Sequence, residues 1–330
     1  MKIRILSAAD VREAVTMGDA IAAVKDAYIQ LSSGQAQIPL RTPVPVDEHS
    51  GVTLLMPAYL AGTDDLGAKI VSVFPRNASV GLPTIHAVLL LVNARTGEPL
   101  AMMDGTYLTA LRTGAASGVA TELLARSDAK KAAIFGAGAQ ARTQVRAICA
   151  VRPIERIRIY DPLRSAAAAF AQELNAPDSA ISATATVAVT PEQATSGADV
   201  VCTVTTSRTP VFDDDDLSPG VHLNALGAFT PEMQEVPGAT VVRASLFVDS
   251  IEACLSEAGD IVIPLSEGLI EESHIRGELG QVAAGLIPGR QSDDEITLFK
   301  SVGVAVQDVA VASLVLERSA ELGLGIDVEL

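Results

Sequence analysis

A short apolar run, Ala132 to Phe135, is followed at once by Gly136-Ala137-Gly138-Ala139-Gln140-Ala141. Glycine at the first position of this GxGxxA pattern permits a tight turn from a strand into a helix. Glycine at the second removes the Cβ that would hold a pyrophosphate away, and Ala141 lets strand and helix pack closely. The helix that follows, AQARTQVRAICA, offers free N–H groups and the positive end of its dipole to phosphates. A second strand, RIRIYD, completes a strand-helix-strand unit, and its Asp161 stands 25 residues after Gly136. A carboxylate there holds ribose hydroxyls and repels a 2′-phosphate, so the pattern favours NAD over NADP, with Arg164 softening the preference. The competing reading is a Gly-rich turn followed by an Asp that only caps a helix.

The rest of the chain follows the same alternation. PLRSAAAAFAQEL reads as a helix with Pro162 near its start, and VVCTVT and LFVD are further short β-branched runs. Alternation of this kind predicts an α/β fold with a doubly wound parallel sheet covered on both faces. The first hundred residues differ. Lys2 to Leu6 reads as a strand; Ser7 and Asp10 form a capping-box pair before a helix that Gly34 closes. RTPVPV, VTLLMPAYL, LGAKIVSVFP and TIHAVLLLVNARTGEPLAMMDG read as strands, with ARTGEP as a hairpin turn. Thr106 to Arg126 is helical, and Ser301 to about Leu322 reads as one long helix. The expected organisation is an α+β substrate-binding and dimerisation domain from residues 1–114 and 301–330, with a dinucleotide-binding domain at 115–300 between them.

Composition narrows the function. Lys plus Arg number 24 against 40 Asp plus Glu, a net charge of −16, which opposes a nucleic-acid partner. No run approaches the ~20 apolar residues of a membrane span. The first segment has no apolar stretch long enough for a signal peptide, and three scattered cysteines (Cys149, Cys202, Cys254) form no disulfide framework, so the expectation is a cytoplasmic protein. The histidines His49, His86, His222 and His274 have no ligand spacing, and no metal is expected. Asp213 to Asp216 reads as solvated loop charge rather than a calcium loop. Cys202 reads as core, and there is no GxSxG nucleophile elbow.

Cations are scarce, and three of them interrupt apolar sequence: Arg41 in PLRTPVP, Lys69 in LGAKIVSV and Arg112 in LTALRTGAASG. Arg is the natural bidentate partner of a carboxylate, and a desolvated Lys exchanges protons near neutral pH. Converging on one pocket, the three would bind a small carboxylic acid. The alternative is that each reaches out to the surface from its strand or helix. Spacing does not choose between them.

The ordered set RTPVP, VTLLMPAY, GAKIVSVFP, MDGTYLTALRTGAASG, IFGAGAQA, DVVCTVT, HLNALGAFTPEMQEV, EAGD and GRQSDDEITLFKSVGVAVQD spans essentially the whole chain. It resembles the ornithine cyclodeaminase/mu-crystallin family, which includes archaeal-type alanine dehydrogenases and cyclic ketimine reductases. The resemblance implies a Rossmann domain inserted between two pieces of a catalytic and dimerisation domain, and a homodimer. It implies that Arg41, Lys69 and Arg112 bind the substrate carboxylate, with Lys69 as proton donor. Thr84, Arg112, Gly136, Gly138, Ala139, Gln140, Asp161, Thr205 and Ser301 match dinucleotide contacts, and Leu226 and Gly227 lie on the stretch passing the nicotinamide.

Two departures sort the activities. Cyclodeaminases carry an Asp where this chain has Phe229 and a Glu where it has Leu54; a cationic ω-amine would meet two apolar side chains here, a costly burial of unpaired charge. GAFTPEMQEV instead resembles the reductase branch, with Phe229 packing on an apolar ring of the substrate. The resemblance thus implies an NAD(P)-dependent oxidoreductase that reduces Δ1-pyrroline-2-carboxylate or Δ1-piperideine-2-carboxylate to L-proline or L-pipecolate. The other readings, in order, are an alanine dehydrogenase-type enzyme, an ornithine cyclodeaminase, and a non-catalytic dinucleotide or small-ligand binder.

Overall fold

The computed structural model describes residues 2–329. Strand β1 (Lys2–Leu6) leads into helices α1 (Ala8–Ala14) and α2 (Met17–Ser32). Strands β2 (Ala36–Gln37), β3 (Thr42–Val46), β4 (Gly51–Leu60), β5 (Asp65–Val73), β6 (Ile85–Asn93) and β7 (Pro99–Asp104) follow, then α3 (Gly105–Leu124). Next come β8 (Lys131–Phe135), α4 (Ala139–Val151), β9 (Arg156–Tyr160), α5 (Arg164–Leu174), β10 (Thr184–Val187), α6 (Pro191–Thr195), β11 (Val200–Thr203) and β12 (His222–Ala225). After α7 (Gly238–Arg243), β13 (Ser245–Val248), α8 (Ile251–Glu257) and α9 (Gly259–Ser266) come β14 (Ile275–Glu278) and α10 (Leu279–Ala283). The last elements are β15 (Thr297–Lys300), α11 (Ala305–Leu322) and β16 (Ile326–Glu329). The chain divides into two units: Met1–Arg112 with Val304–Leu330, and Thr113–Gly303.

The first unit is built on a mixed sheet in the order β16-β1-β7-β6-β5-β4-β2, with β3 also paired to β4. Ser7 and Asp10 make the reciprocal capping box at α1, and ARTGEP turns β6 back into antiparallel β7. The strand period of two sorts side chains onto two faces. Met56, Lys69, Leu89 and Met103 lie opposite one another across β4, β5, β6 and β7, and all four are buried. Their face receives α11: a Cβ at Gly67 would meet Leu90 O at 2.7 Å and Val309 Cγ2 at 3.3 Å, so this glycine sets how closely the helix can approach. The opposite face carries Leu55 and Ile70, paired across β4 and β5, and Met102, all three exposed.

In the second unit eight strands run in the order β10-β9-β8-β11-β12-β15-β13-β14, every neighbouring pair parallel. Strands β11, β12, β13 and β15 are buried throughout, as expected of a parallel sheet with both faces covered. The chain leaves β8 toward β9 on one side and returns on the other side to β11, which makes a topological switch point between β8 and β11. Ile134, Val145, Ile148, Ile157, Ile159 and Phe170 pack one core under α4 and α5. Among the described residues no helix is long and apolar enough to cross a membrane.

One sequence expectation needs correction. The apolar periodicity continues smoothly through Ser301, yet the terminal helix begins at Ala305. Gly303 holds a left-handed backbone at φ 80°, and buried Asp249 accepts the Ser301 hydroxyl (2.7 Å) and the N–H groups of Val302 (3.1 Å) and Gly303 (2.8 Å). A side chain about fifty residues upstream takes the donors that a helical turn would use, and periodicity carries no record of it.

His222, fully buried on β12, lies 3.0 Å from Thr297 Oγ1 and 3.2 Å from Asn224 Oδ1. Burial, with the Arg290 charge adding to it, pushes its pKa down from 6.5 to about 3. Between those values the unfolded chain binds a proton that the folded chain refuses, so stability falls as pH drops through that window, at up to ~1.4 kcal/mol per pH unit. Urea midpoints compared between about pH 6.5 and 4 are expected to fall less in His222→Gln than in the parent chain; parallel losses would remove His222 as the cause.

Candidate active site

Lys69 lies on the inner row of β5, among Met56, Leu89 and Met103, and only 1% of it is exposed. A lysine there must either lose its proton or find an anion. It finds Asp308, whose Oδ2 is 2.7 Å from Lys69 Nζ. Asp308 Oδ1 accepts from Arg112 Nε at 3.0 Å, and Arg112 Nη1 donates to Gln307 Oε1 at 2.7 Å. Arg112 is 6% exposed. Its helix α3 is capped by Asp104, which accepts the Tyr107 N–H at 2.8 Å, and Gly105 fits against the Ala87–Val88 backbone, which a Cβ would meet at 2.9 Å.

Arg41 stands immediately before β3, half-buried, and its charge bears on Lys69. Burial foremost, then the charge of Arg112, lowers the Lys69 pKa to about 7; the Asp308 charge and hydrogen bond oppose this, and Arg41 lowers it further. Lys69 and Arg112 therefore meet on one buried carboxylate, with the Arg41 charge bearing on Lys69, and the reading in which each reaches the surface fails for Lys69 and Arg112. Leu54, on β4, occupies the same face as Met56 and so as Lys69. Thr84 is not part of this cluster. It sits beyond the end of the β5–β6 ladder, its carbonyl accepting the Phe74 N–H at 2.8 Å, five residues from the Leu89 that pairs with Lys69.

A cavity of about 870 Å³ lies elsewhere in the first unit, lined in part by Asp19, Asp26, Asp64, Asp65 and Glu317. That acidic lining repels a carboxylate, so the cation cluster is the better place for an acid substrate.

The remaining expected site residues belong to the second unit and share one feature: they follow the C-terminal ends of its parallel strands, where open α/β sheets bind ligands. Gly136, after β8, has φ 98°, and a Cβ there would stand 2.8 Å from the Val204 carbonyl. Gly138 is the N-cap of α4 with no side-chain capping bond, and a Cβ on it would meet no protein atom within 4 Å. Ala139 opens α4 beside Gln140, whose buried Oε1 has no partner among the described residues. Asp161, after β9, accepts the N–H groups of Ala137 (2.9 Å) and Leu163 (2.8 Å), which ties the glycine turn to the second strand. Bare first-turn amides, a glycine open on its outer side, an unpartnered Gln140 oxygen and a carboxylate at the second strand fit a dinucleotide.

Thr205 follows β11, Leu226, Gly227 and half-buried Phe229 follow β12, and Ser301 follows β15. The organiser of the first two loops is Glu235, which sequence reasoning did not single out. Its buried carboxylate accepts Thr203 Oγ1 (3.0 Å) and the N–H groups of Thr205 (2.6 Å), Gly227 (2.7 Å) and Ala228 (3.0 Å). A Cβ at Gly227 would collide with the Thr205 backbone and with this carboxylate. Asp260 in turn accepts the N–H groups of Glu235 (2.6 Å) and Val236 (2.9 Å) and pairs with buried Lys300 at 2.8 Å. Asp308 and Gln307 also escaped the sequence reading; the only signal for them is a polar pair inside the apolar run VGVAVQDVAVA.

With this geometry in hand, relatives add weight. The ornithine cyclodeaminase/mu-crystallin family profile matches residues 1–322. A Bacillus cereus protein named Delta(1)-pyrroline-2-carboxylate reductase is 42% identical over 326 residues, covering 98% of this chain and 99% of that protein. The structure of Thermococcus litoralis Delta(1)-pyrroline-2-carboxylate reductase in complex with NADH and L-proline superposes with a TM-score of 0.95 at 42% identity, over 99% of this chain and 100% of that one. An archaeal alanine dehydrogenase dimer with bound NAD gives 0.93 at 36% identity over 100% of both chains. Fold, motif order and these similarities agree: the chain belongs to the ornithine cyclodeaminase/mu-crystallin family.

Proposed function

We propose that this chain reduces the cyclic imino acid Δ1-pyrroline-2-carboxylate to L-proline with NADH, Δ1-piperideine-2-carboxylate being the same chemistry on a larger ring. The observation that carries this reading is the buried lysine with two arginines around it, its pKa brought to about 7. Arginines hold a carboxylate, and a lysine that titrates near neutrality gives up a proton where an ordinary one would not. The Bacillus and Thermococcus relatives named as pyrroline-2-carboxylate reductases support the choice of substrate.

In this reading Arg41 and Arg112 fix the substrate carboxylate, and protonated Lys69 donates to the imine nitrogen. The dinucleotide supplies, when bound, a hydride for the imine carbon. Gly136, Gly138, Ala139 and Gln140 take the pyrophosphate region, and Asp161 takes the adenosine ribose. Thr205, Leu226, Gly227 and Ser301 border the nicotinamide; Arg112 and Thr84 are further candidate contacts, and Phe229 packs on the ring of the substrate. The second unit is thus the dinucleotide-binding domain and the first the substrate domain. The first unit also pairs the chain into a homodimer through the outer sheet face, where Leu55, Ile70 and Met102 stand exposed. The alanine dehydrogenase relative is a dimer.

NADH and NADPH oxidation followed with the five- and six-membered imines, beside pyruvate plus ammonia, tests the reading. Imine reduction is expected, with kcat/KM falling as pH rises above about 7 because Lys69 loses the proton it must donate. Lys69→Met is expected to abolish turnover while leaving NADH binding. Idle imines with active pyruvate would overturn the proposal. For the cofactor, Asp161→Asn is expected to raise the NADPH-to-NADH ratio of kcat/KM by about tenfold, by removing the charge that repels a 2′-phosphate; an unchanged ratio would show that Asp161 only holds the turn. For assembly, Ile70→Lys is expected to lower the sedimenting mass from twice to once the 34.1 kDa of the chain, and a variant that stays paired would move the interface elsewhere.

A further inference from the structure

The carboxylate of Asp308 is as buried as the two cations it bridges, one on β5 and one on α3. We propose that Asp308 is a positioning residue of the proton-transfer step, its carboxylate holding the Lys69 ammonium and the Arg112 guanidinium in one arrangement and supplying the negative charge that lets both stay buried beside Arg41. This goes a step beyond the reductase reading and rests on it for the identity of the proton acceptor.

Arg41, Lys69 and Arg112 bring three positive charges to the cluster, and Asp308, from α11, brings one negative; these are the groups that bear on Lys69. Without Asp308, Lys69 and Arg112 would lie unpaired in a low-dielectric interior, with the charge of half-buried Arg41 adding to the repulsion on Lys69. Arginine keeps its proton under such pressure, whereas lysine releases it. Removing the anion therefore neutralises Lys69, which is the charge state that cannot protonate an imine.

Geometry adds to charge. Asp308 sits in the first turn of α11, where the helix dipole favours an anion. The preceding Gln307 is anchored twice: its Oε1 accepts the Val304 N–H at 3.1 Å, and its Nε2 donates to the Tyr28 hydroxyl. Together Gln307 and Asp308 form a fork that takes Nε and Nη1 of Arg112. A guanidinium has five donors, so this fork orients Arg112 while leaving donor capacity for a substrate carboxylate. A single helical turn thus fixes the proton donor and one carboxylate clamp relative to each other.

The test compares Asp308→Asn and Asp308→Glu with the parent enzyme, full-length, using Δ1-pyrroline-2-carboxylate and NADH. Asp308→Asn is expected to move the alkaline limb of the kcat/KM profile at least about one pH unit toward acid, and to lower kcat/KM at least about tenfold near pH 7.5. The gap should narrow at lower pH. Asp308→Glu, which keeps the charge, is expected to restore the limb, and serves as the informative variant if Asn prevents folding. A uniform loss at every pH would reduce Asp308 to a structural role and overturn the proposal.

An independent readout follows the six lysines by NMR in chain carrying ¹³Cε-labelled lysine, with Lys69→Met for assignment and no substrate present. The Lys69 midpoint should move down in Asp308→Asn and return in Asp308→Glu; an unchanged midpoint overturns the proposal whatever the substrate proves to be. A shifted midpoint in a chain that reduces no cyclic imine overturns the reductase reading and leaves Asp308 setting the charge of Lys69.

Discussion

Burying positive charge in a β-sheet core dominates the chemistry of the first unit. Lys69 stands in a row of Met and Leu side chains, and nothing about that row would hold an ammonium without an anion. Removing one partner of a buried ion pair typically costs about 3–5 kcal/mol, so the burial of Lys69 and Arg112 depends on Asp308, and the charge of Lys69 depends on it as well. Such a pair contributes little to stability compared with a well-packed apolar replacement. Its retention fits a cluster arranged for binding and proton transfer, a task for which methionine or leucine would be useless.

The second unit uses buried carboxylates differently. Glu235 and Asp249 spend their acceptor capacity mainly on backbone N–H groups and hydroxyls at the ends of β11, β12 and β15. Loops with no regular hydrogen bonding thereby have their backbone donors satisfied by side-chain carboxylates. Burial and the neighbouring Asp260 charge raise the Glu235 pKa, with Lys300 and the amides that it accepts pulling the other way. Four donors converge on this one side chain, the Thr203 hydroxyl and the N–H groups of Thr205, Gly227 and Ala228. Rigid loops at the C-terminal ends of the strands are what hydride transfer demands, because alignment is most of what a protein adds to a nicotinamide.

The glycine turn was readable because its constraint is local: Gly136 needs a positive φ immediately after the strand that precedes it. The capping box at Ser7 and the hairpin at ARTGEP were readable for the same reason. Strands β10, β12, β14, β15 and β16 are not legible in the sequence, since four residues carry too little periodicity, and the equally short β11 and β13 show only through the β-branched runs VVCTVT and LFVD. Whether Arg41, Lys69 and Arg112 meet is not legible in the sequence, because spacing along a chain holds no record of which elements pack together. Asp308 was invisible for a further reason. In an amphipathic helix an isolated acid reads as the edge of a solvated face, and only the packing of α11 on β4, β5 and β6 turns it inward onto Lys69.

That inward face also bears on which substrates suit the site. Leu54 shares the Lys69 side of β4, two residues from Met56, the direct partner of Lys69. A substrate carrying a second ammonium toward that side would add positive charge to a cluster where cations already outnumber the one anion, and Leu54 offers no acceptor to offset it. A ring with no charge beyond its carboxylate and its imine avoids this cost and gains from apolar contact. An excess of cations attracts one carboxylate and opposes any additional cation, so the electrostatics of the cluster suit a substrate with no second ammonium.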